Sequence, residues 1–372
     1  MVVSKVIAFI KKEIVFCVAF VCAIASSFFV PISKAYLDYI DWNTLFILFS
    51  LMAVVASFRK YSLFNALGSA LCSVVHSLRS LSAILILLCF FTSMLITNDV
   101  ALLTFVPFAV SLLAPSAPAW CLMYVVVLQT IAANTGSMLT PLGNPQNLFL
   151  YSKFDISIFA FMKILLPYTL LALALLLLAL LVIPNTVVKK GSASARRNID
   201  KKKIFFAMLL FILCLLSVVR LVPKSVVALI VASYLFVFDR DVLKSVDYML
   251  LLTFSAFFIF TGNMSNISSI KEALETAVKG HELLSSVLAS QIISNVPATL
   301  LLYPFSANAQ KLLIGVNIGG LGTLVASLAS LISYKIYNAN ISANGKSNYM
   351  LVFTLMNVAF LALLLLLASI LR

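Results

Sequence analysis

The sequence predicts an all-α polytopic membrane protein of about nine spans plus two re-entrant hairpins, arranged as two inverted repeats with broken helices. Three observations predict it. The chain is 63% hydrophobic and only 10% charged, with a mean hydropathy of +1.13. Apolar runs recur along its whole length. Two of those runs are interrupted by polar residues in their middle. The 372 residues would otherwise allow about two or three soluble domains, but so few charges cannot clothe soluble cores of that size.

The formal net charge of +14 is topological information. Lys5, Lys11 and Lys12 precede the first apolar run, Arg59, Lys60 and Arg79 follow the second, and Lys189, Lys190, Arg196, Arg197 and Lys201–Lys203 form the densest cluster. Placed on one side, they satisfy the positive-inside rule with a cytoplasmic N-terminus in a cell (inner) membrane. Charges scattered between apolar runs make no basic face, so nucleic acid is not an expected partner. The cysteines, Cys17, Cys22, Cys72, Cys89, Cys121 and Cys214, lie mostly within apolar runs without metal-ligand spacing and read as small hydrophobes. Ala23-Ile24-Ala25 resembles a signal cleavage site, but Phe28-Phe29-Val30 continues the run past it, favouring an uncleaved first span.

Runs near 14–30, 42–57, 157–184, 204–221, 224–238, 247–262 and 348–371 read as membrane helices. Phe58–Ser80, with Leu63, Ala66, Leu67, Ala70, Leu71 and Val74-Val75 at helical spacing and Arg79 at its end, reads as an amphipathic surface helix carrying His76. Arg220 and Lys224 read as snorkelling anchors. Lys271, Glu272, Glu275, Lys279, His281 and Glu282 suggest a solvated outer helix.

The run at 81–113 is too long for one span, and Thr97-Asn98-Asp99 interrupts it. Each half is about 15 residues, or roughly 22 Å of helix, short of a hydrocarbon core of about 30 Å. That predicts a re-entrant hairpin, repeated at 283–307 around Ser294-Asn295. Behind each hairpin comes a broken helix. The first covers 119–155, unwound over Thr135–Gly143 by Thr140-Pro141-Leu142-Gly143-Asn144-Pro145-Gln146-Asn147; the second covers 309–336, unwound over Val316–Gly322.

The halves superpose without gaps inside each motif. Asp41-Trp42 matches Asp247-Tyr248. Ser93, Thr97, Asn98, Ala101 and Pro107-Phe108 match Ser290, Ser294, Asn295, Ala298 and Pro304-Phe305, while Asn134, Gly136 and Thr140 match Asn317, Gly319 and Thr323. The expected domains are a first repeat over 1–184, a basic cytoplasmic linker over 185–203, an extra connecting span over 204–221 and a second repeat over 222–372. That extra span inverts the second repeat, the arrangement of alternating-access transporters.

Hydroxyl, amide and helix-end carbonyl oxygens are hard neutral ligands for a small cation. Ser93, Thr97 and Asn98 with Gly136 would make one metal site; Ser290, Ser294 and Asn295 with Gly319 would make its partner. Helices restarting after each break offer N–H groups to an anion. The candidate substrate residues are therefore Thr97, Asn98, Asp99, Thr140, Pro141, Asn144, Ser294, Asn295 and Thr323. Such residues can also merely glue packed helices; their mirrored placement argues for function. Asp99, opposite Val296, is a costly carboxylate at membrane depth that could ligate a cation or carry a proton.

At these motifs the chain resembles the ion transporter superfamily of divalent anion/sodium symporters, citrate permeases and arsenite permeases. Thr97-Asn98-Asp99 and Ser294-Asn295-Val296 stand where its dicarboxylate symporters carry Ser-Asn-Thr, and 140–147 looks like its first broken-helix loop. The closest resemblance is to compact bacterial inner-membrane permeases. It implies sodium sites at the residues above, scaffold helices at a homodimer interface, and a moving transport domain. Asp99 and Val296 depart from the third-position Thr, which puts dicarboxylate specificity in question.

The expected function is a secondary active transporter of a small anion, a di- or tricarboxylate or an inorganic oxyanion, coupled to sodium or protons and needing no other cofactor. The alternatives are an arsenite-type efflux permease or a sodium/proton antiporter. An enzyme is disfavoured: His76 and His281 are the only histidines, and no His-Glu-x-x-His occurs. A channel would not need inverted broken-helix repeats.

Overall fold

The structure is a computed structural model describing residues 9, 13–72, 75, 77–115, 117–187, 200–340 and 349–371, the side chains of 68, 71, 72 and 340 excepted. Lys5, Lys11, Lys12, Val74, His76, Lys189, Lys190, Arg196 and Arg197 lie outside the described residues.

Helix α1 (Ile14–Ser27) and the short α2 (Ala35–Tyr39) precede α3 (Trp42–Lys60). Asp41 caps α3: Oδ1 accepts from Thr44 N at 3.1 Å and Oδ2 from Thr44 Oγ1 at 2.8 Å. Ser62, at φ +58°, turns the chain into α4 (Leu63–Cys72). Of the amphipathic helix expected over Phe58–Ser80, the described residues show Leu63–Cys72, while Phe58–Lys60 belong to α3. Arg79 sits instead in the first turn of α5 (Leu78–Thr92), donating to Ile183 O at 2.7 Å and Leu181 O at 3.2 Å. Its guanidinium thus meets carbonyls at the end of α9, groups that a helix leaves without intrahelical partners.

After residues 93–97 the chain re-enters helix as α6 (Asn98–Leu113), then α7 (Ala119–Gly136) with a 3-10 turn at Ser137–Leu139. Pro145, at the position where a missing N–H is harmless, opens α8 (Pro145–Lys153). Next come α9 (Ile158–Ala179), α10 (Lys201–Val218), α11 (Lys224–Phe238) and α12 (Arg240–Lys244). Asp247 caps α13 (Tyr248–Ser265) through Oδ1, which accepts from Leu250 N at 2.9 Å. The caps at Asp41 and Asp247 stand at matching places in the two halves.

The remaining helices are α14 (Ser268–Val278), α15 (Glu282–Ile293), α16 (Asn295–Leu302), α17 (Ala309–Ile318), α18 (Leu328–Asn340) and α19 (Tyr349–Ile370). Lys271, Glu272 and Glu275 ride on α14 as expected, but Glu282 does not: it opens α15 and is 1% exposed. The breaks also start later than expected. Helix α7 continues through Thr135 to Gly136, and α17 through Val316 and Asn317 to Ile318, where Asn317 Nδ2 donates back to Leu313 O.

Among the described residues five helices are long and apolar enough to cross a membrane: Trp42–Lys60, Ala119–Leu139, Ile158–Val182, Tyr248–Ser265 and Tyr349–Ile370. With their shorter apolar companions they make an all-α polytopic membrane protein. Contacts divide the chain into two compact units, and each takes segments from both sequence halves. One comprises Met1–Ser57, Phe206–Glu282 and Thr299–Asn308; the other comprises Phe58–Phe205, Leu283–Ala298 and Ala309–Arg372.

In the first unit α13 packs on α1. Asn263 Nδ2 donates to Ser26 Oγ and Tyr36 OH, both at 2.9 Å, and Gly262 lets the Tyr39 ring lie on the helix backbone. In the second unit α7 is the central shaft. Its apolar window is 89% buried, against 33% for α9 and 22% for α19. Leu166, Leu170 and Leu177 of α9 and Leu351, Leu355 and Leu366 of α19 are exposed, as lipid-facing side chains are.

Candidate functional site

Every sequence-predicted site residue falls in the second unit. In the first half, α5 ends at Thr92 with Ser93 as its C-cap, and extended Thr97 precedes α6. Ser93 is fully buried and donates from Oγ to Phe90 O at 2.8 Å. Asn98 is buried and uses its backbone and side chain together. Its N donates to Gly143 O at 3.1 Å, Nδ2 donates to Asn134 Oδ1 at 2.9 Å, and Oδ1 accepts from Asp99 N at 2.9 Å. Asp99 lies half-buried in the first turn of α6. Thr140 Oγ1 donates to Met94 O, and Asn144 Nδ2 to Ser137 Oγ at 2.7 Å; Pro141 is buried between them in sequence.

The second half repeats these relations at matching positions. Asn295 N donates to Ala326 O at 2.9 Å, as Asn98 N does to Gly143 O. Thr323 Oγ1 donates to Gln291 O at 3.0 Å, as Thr140 Oγ1 does to Met94 O. A Cβ on Gly319 would stand 2.8 Å from Ser290 Oγ; one on Gly136 would stand 2.7 Å from Ser93 Oγ and 2.1 Å from Phe90 O. Each glycine admits the serine-bearing helix to its backbone. The tips also differ in backbone: α15 and α16 are parted by Ser294 alone, buried at φ +73°, where a non-glycine residue is strained. Ser294 Oγ donates to Ala326 O at 3.4 Å, and Thr323 is exposed.

The two tips meet through buried side chains. Asn134 Oδ1 accepts from both Asn98 Nδ2 and Ser327 Oγ (3.0 Å), and Ser327 adjoins Ala326, the acceptor for Asn295 N. Farther along, Asn134 Nδ2 donates to Ser330 Oγ at 3.4 Å, and Thr130 Oγ1 to Ser333 Oγ at 2.7 Å. Asn317 Nδ2 in turn donates to Asn147 Oδ1 at 2.7 Å. Helices broken in mid-course restart here at Asn98, Pro145, Asn295 and Leu328, so helix N-termini and loop carbonyls collect beside neutral side chains. Oxygen donors suit a small cation and helix N-termini suit an anion.

Several residues of this cluster were not among the predicted site residues, although Gln146 and Asn147 lie in the predicted break. Gln129 donates from Nε2 to Leu85 O and Phe105 O, both at 3.3 Å, stapling α5 to α6. Asn147 Nδ2 lies 3.1 Å from Ser137 O and 3.3 Å from both Met138 O and Thr140 O. Gln146 is 1% exposed with neither Nε2 nor Oε1 hydrogen-bonded. Ser327, Ser330 and Gln291 complete the set. An amide or hydroxyl inside an apolar run, spaced to meet a break, is the signal that could have found them.

This architecture, apolar helices with irregular backbone satisfied inside a protein core, defines a polytopic membrane transporter. The chain belongs to the citrate transporter family, whose model matches residues 1–315. It is similar to an uncharacterised transporter of Methanocaldococcus jannaschii, 32% identical over 306 residues that cover 81% of this chain and 83% of that one. It is also similar to the inner membrane protein YbiR of Escherichia coli, 30% identical over 323 residues, 85% of each chain. A 46 kDa membrane protein of Mycobacterium leprae is 26% identical over 340 residues, 80% of this chain and 79% of the relative. The protein is thus a multi-pass membrane transporter and not an enzyme.

Proposed function

We propose that this protein is a secondary active transporter that moves a small anion, a di- or tricarboxylate or an inorganic oxyanion, by alternating access coupled to sodium or protons. The recurrence of one set of contacts at both breaks carries this reading: Asn98 with Gly143, and Asn295 with Ala326. Two equivalent polar tips joined through Asn134 and Ser327 give oxygen ligands and helix N-termini in one place. The match to a citrate transporter family supports an organic anion as cargo. In this reading the halves are inverted, the N-terminus is cytoplasmic and the functional form is a homodimer, with the second unit moving as the transport body.

Uptake of labelled citrate, succinate, sulfate and phosphate into proteoliposomes tests it, with and without an inward sodium or proton gradient. Gradient-driven uptake of one anion, lost in Asn98→Ala/Asn295→Ala, is the expected result. The absence of any driven uptake would sink anion symport. The rival reading, efflux or sodium/proton exchange, draws on Asp99, a carboxylate in the first turn of α6 where the other half has Val296.

A further inference from the structure

The two breaks differ in what holds their carbonyl oxygens. In the second half, Gln291 on α15 sends its amide into the loop that follows α17. Nε2 donates to Gly319 O and Leu321 O, both at 2.9 Å, beside a longer 3.4 Å approach to Val287 O on its own helix. Oε1 accepts from Thr323 N at 2.9 Å, and the Gln291 carbonyl accepts from Thr323 Oγ1. The amide therefore uses both donors and its acceptor on one loop.

The loop is shaped to receive it. A Cβ on Gly322 would stand 2.3 Å from Gln291 Oε1 and 3.0 Å from Cδ, and Gly322 has φ +106°. A side chain there would displace the amide and strain the backbone. Counted from the aligned motifs, the matching residues of the first half are Met94 and Leu139. The methionine side chain offers no N–H, and leucine is no glycine. The Gln–Gly pair in one half and the Met–Leu pair in the other are thus a coupled difference in what the hairpin helix sends into the break. In the first half an amide comes instead from beyond the break, where Asn147 Nδ2 lies 3.3 Å from Met138 O, the counterpart of Leu321 O.

Backbone carbonyls released by a helix break are the groups with which such a repeat binds a cation near the membrane midplane. An NH2 group between two of them presents positive hydrogens at both oxygens without adding a net charge. We propose that Gln291 is a tethered stand-in for the cation of the second half, so that any coupling cation is bound by the first half alone, one per transport cycle. This narrows the coupling in the proposed function and rests on it for the transport cycle.

The test counts radiolabelled sodium bound to the purified full-length protein in detergent, in wild type, Gln291→Glu and Gln291→Met. Glu keeps the length but turns a carboxylate toward two carbonyl oxygens, an arrangement that needs a cation between them. Wild type is expected to bind at most one sodium per chain. Gln291→Glu is expected to bind one more, and to unfold at lower temperature in choline than in sodium by a wider margin than wild type. Two sodium ions in wild type, or no gain in the Glu variant, would overturn the proposal. Should the Glu variant fail to fold, Gln291→Met, which removes the amide as in the first half, is expected to bind one more sodium than wild type, and no gain there would overturn the proposal. The count uses no anion. A chain that passes it yet takes up no anion loses the anion-symport reading and keeps Gln291 as the occupant of the second-half site.

Discussion

Asn317 on α17 donates from Nδ2 to Oδ1 of Asn147 on α8 at 2.7 Å, and the matching pair, Asn134 on α7 and Ser330 on α18, is joined at 3.4 Å. The helix before each break is therefore hydrogen-bonded to the helix after the other. Beside the bonds that each break makes within its own half, each half thus supplies a partner to the broken helix of the other. This reciprocity explains how so much buried irregular backbone is tolerated in the second unit.

Asn147 is the most heavily used of these side chains, since Ser137 O, Met138 O and Thr140 O surround its Nδ2 while Oδ1 serves Asn317. Asn147→Ala is expected to lower stability by about 1–3 kcal/mol, because it leaves buried donors and acceptors unmatched. Thermal unfolding in detergent measures it. Asn147→Asp, which keeps the acceptor for Asn317 and loses the donor, should also be destabilised. A wild-type melting temperature in the Ala variant would mean that these bonds are dispensable.

The two close helix approaches are not equally tight. A methyl at Gly136 meets the backbone oxygen of Phe90 at 2.1 Å, whereas one at Gly319 meets Ser290 Oγ and Gly315 O at 2.8 Å. A rotating hydroxyl can yield, but a carbonyl inside α5 cannot without moving the helix. Gly136→Ala is expected to cost roughly 1–3 kcal/mol through overpacking, and Gly319→Ala less. Comparing their unfolding temperatures in one detergent checks the order, and equal losses would refute it.

What could be anticipated from the residues follows from chemistry. Asn98-Asp99 and the Pro141-to-Asn147 segment stand out because polar and helix-breaking residues are costly within apolar runs. Asp41 and Asp247 read as helix starts because the cap is local. Gln129, Gln291, Ser327 and Ser330 were opaque: a neutral polar residue in an apolar helix looks the same whether it faces lipid, a neighbour or a break. Their partners lie tens to hundreds of residues away, as Asn134 and Ser327 do, and only tertiary packing pairs them. Glu282 misled because exposed Lys279 and His281 precede it, although the chain enters α15 at that residue.

Gln129 offers a test of how the first pair of short helices is held. Its Nε2 reaches Leu85 O on α5 and Phe105 O on α6 from a fully buried position on α7. Gln129→Leu preserves much of the volume and removes both bonds. A stability loss of about 1–2 kcal/mol is expected, together with faster amide hydrogen exchange across 78–113 than in wild type. Unchanged exchange there would show that packing alone joins the two helices.

Asp99 separates the remaining modes of coupling. It is half-buried in the first turn of α6, where a negative charge is favoured by the helix N-terminus, and its own N–H is taken by Asn98 Oδ1. The matching Val296 cannot titrate, so proton transfer at the tips would fall to the first half. Asp99→Asn keeps the size and hydrogen-bonding capacity while removing the charge. If protons are carried here, the variant should lose the pH dependence of transport in proteoliposomes while retaining sodium dependence. If Asp99 instead ligates the coupling cation, the sodium concentration for half-maximal uptake should rise about tenfold or more, which corresponds to roughly 1.4 kcal/mol, and the pH profile should keep its shape. A variant matching wild type in both respects would reduce Asp99 to a helix-start residue.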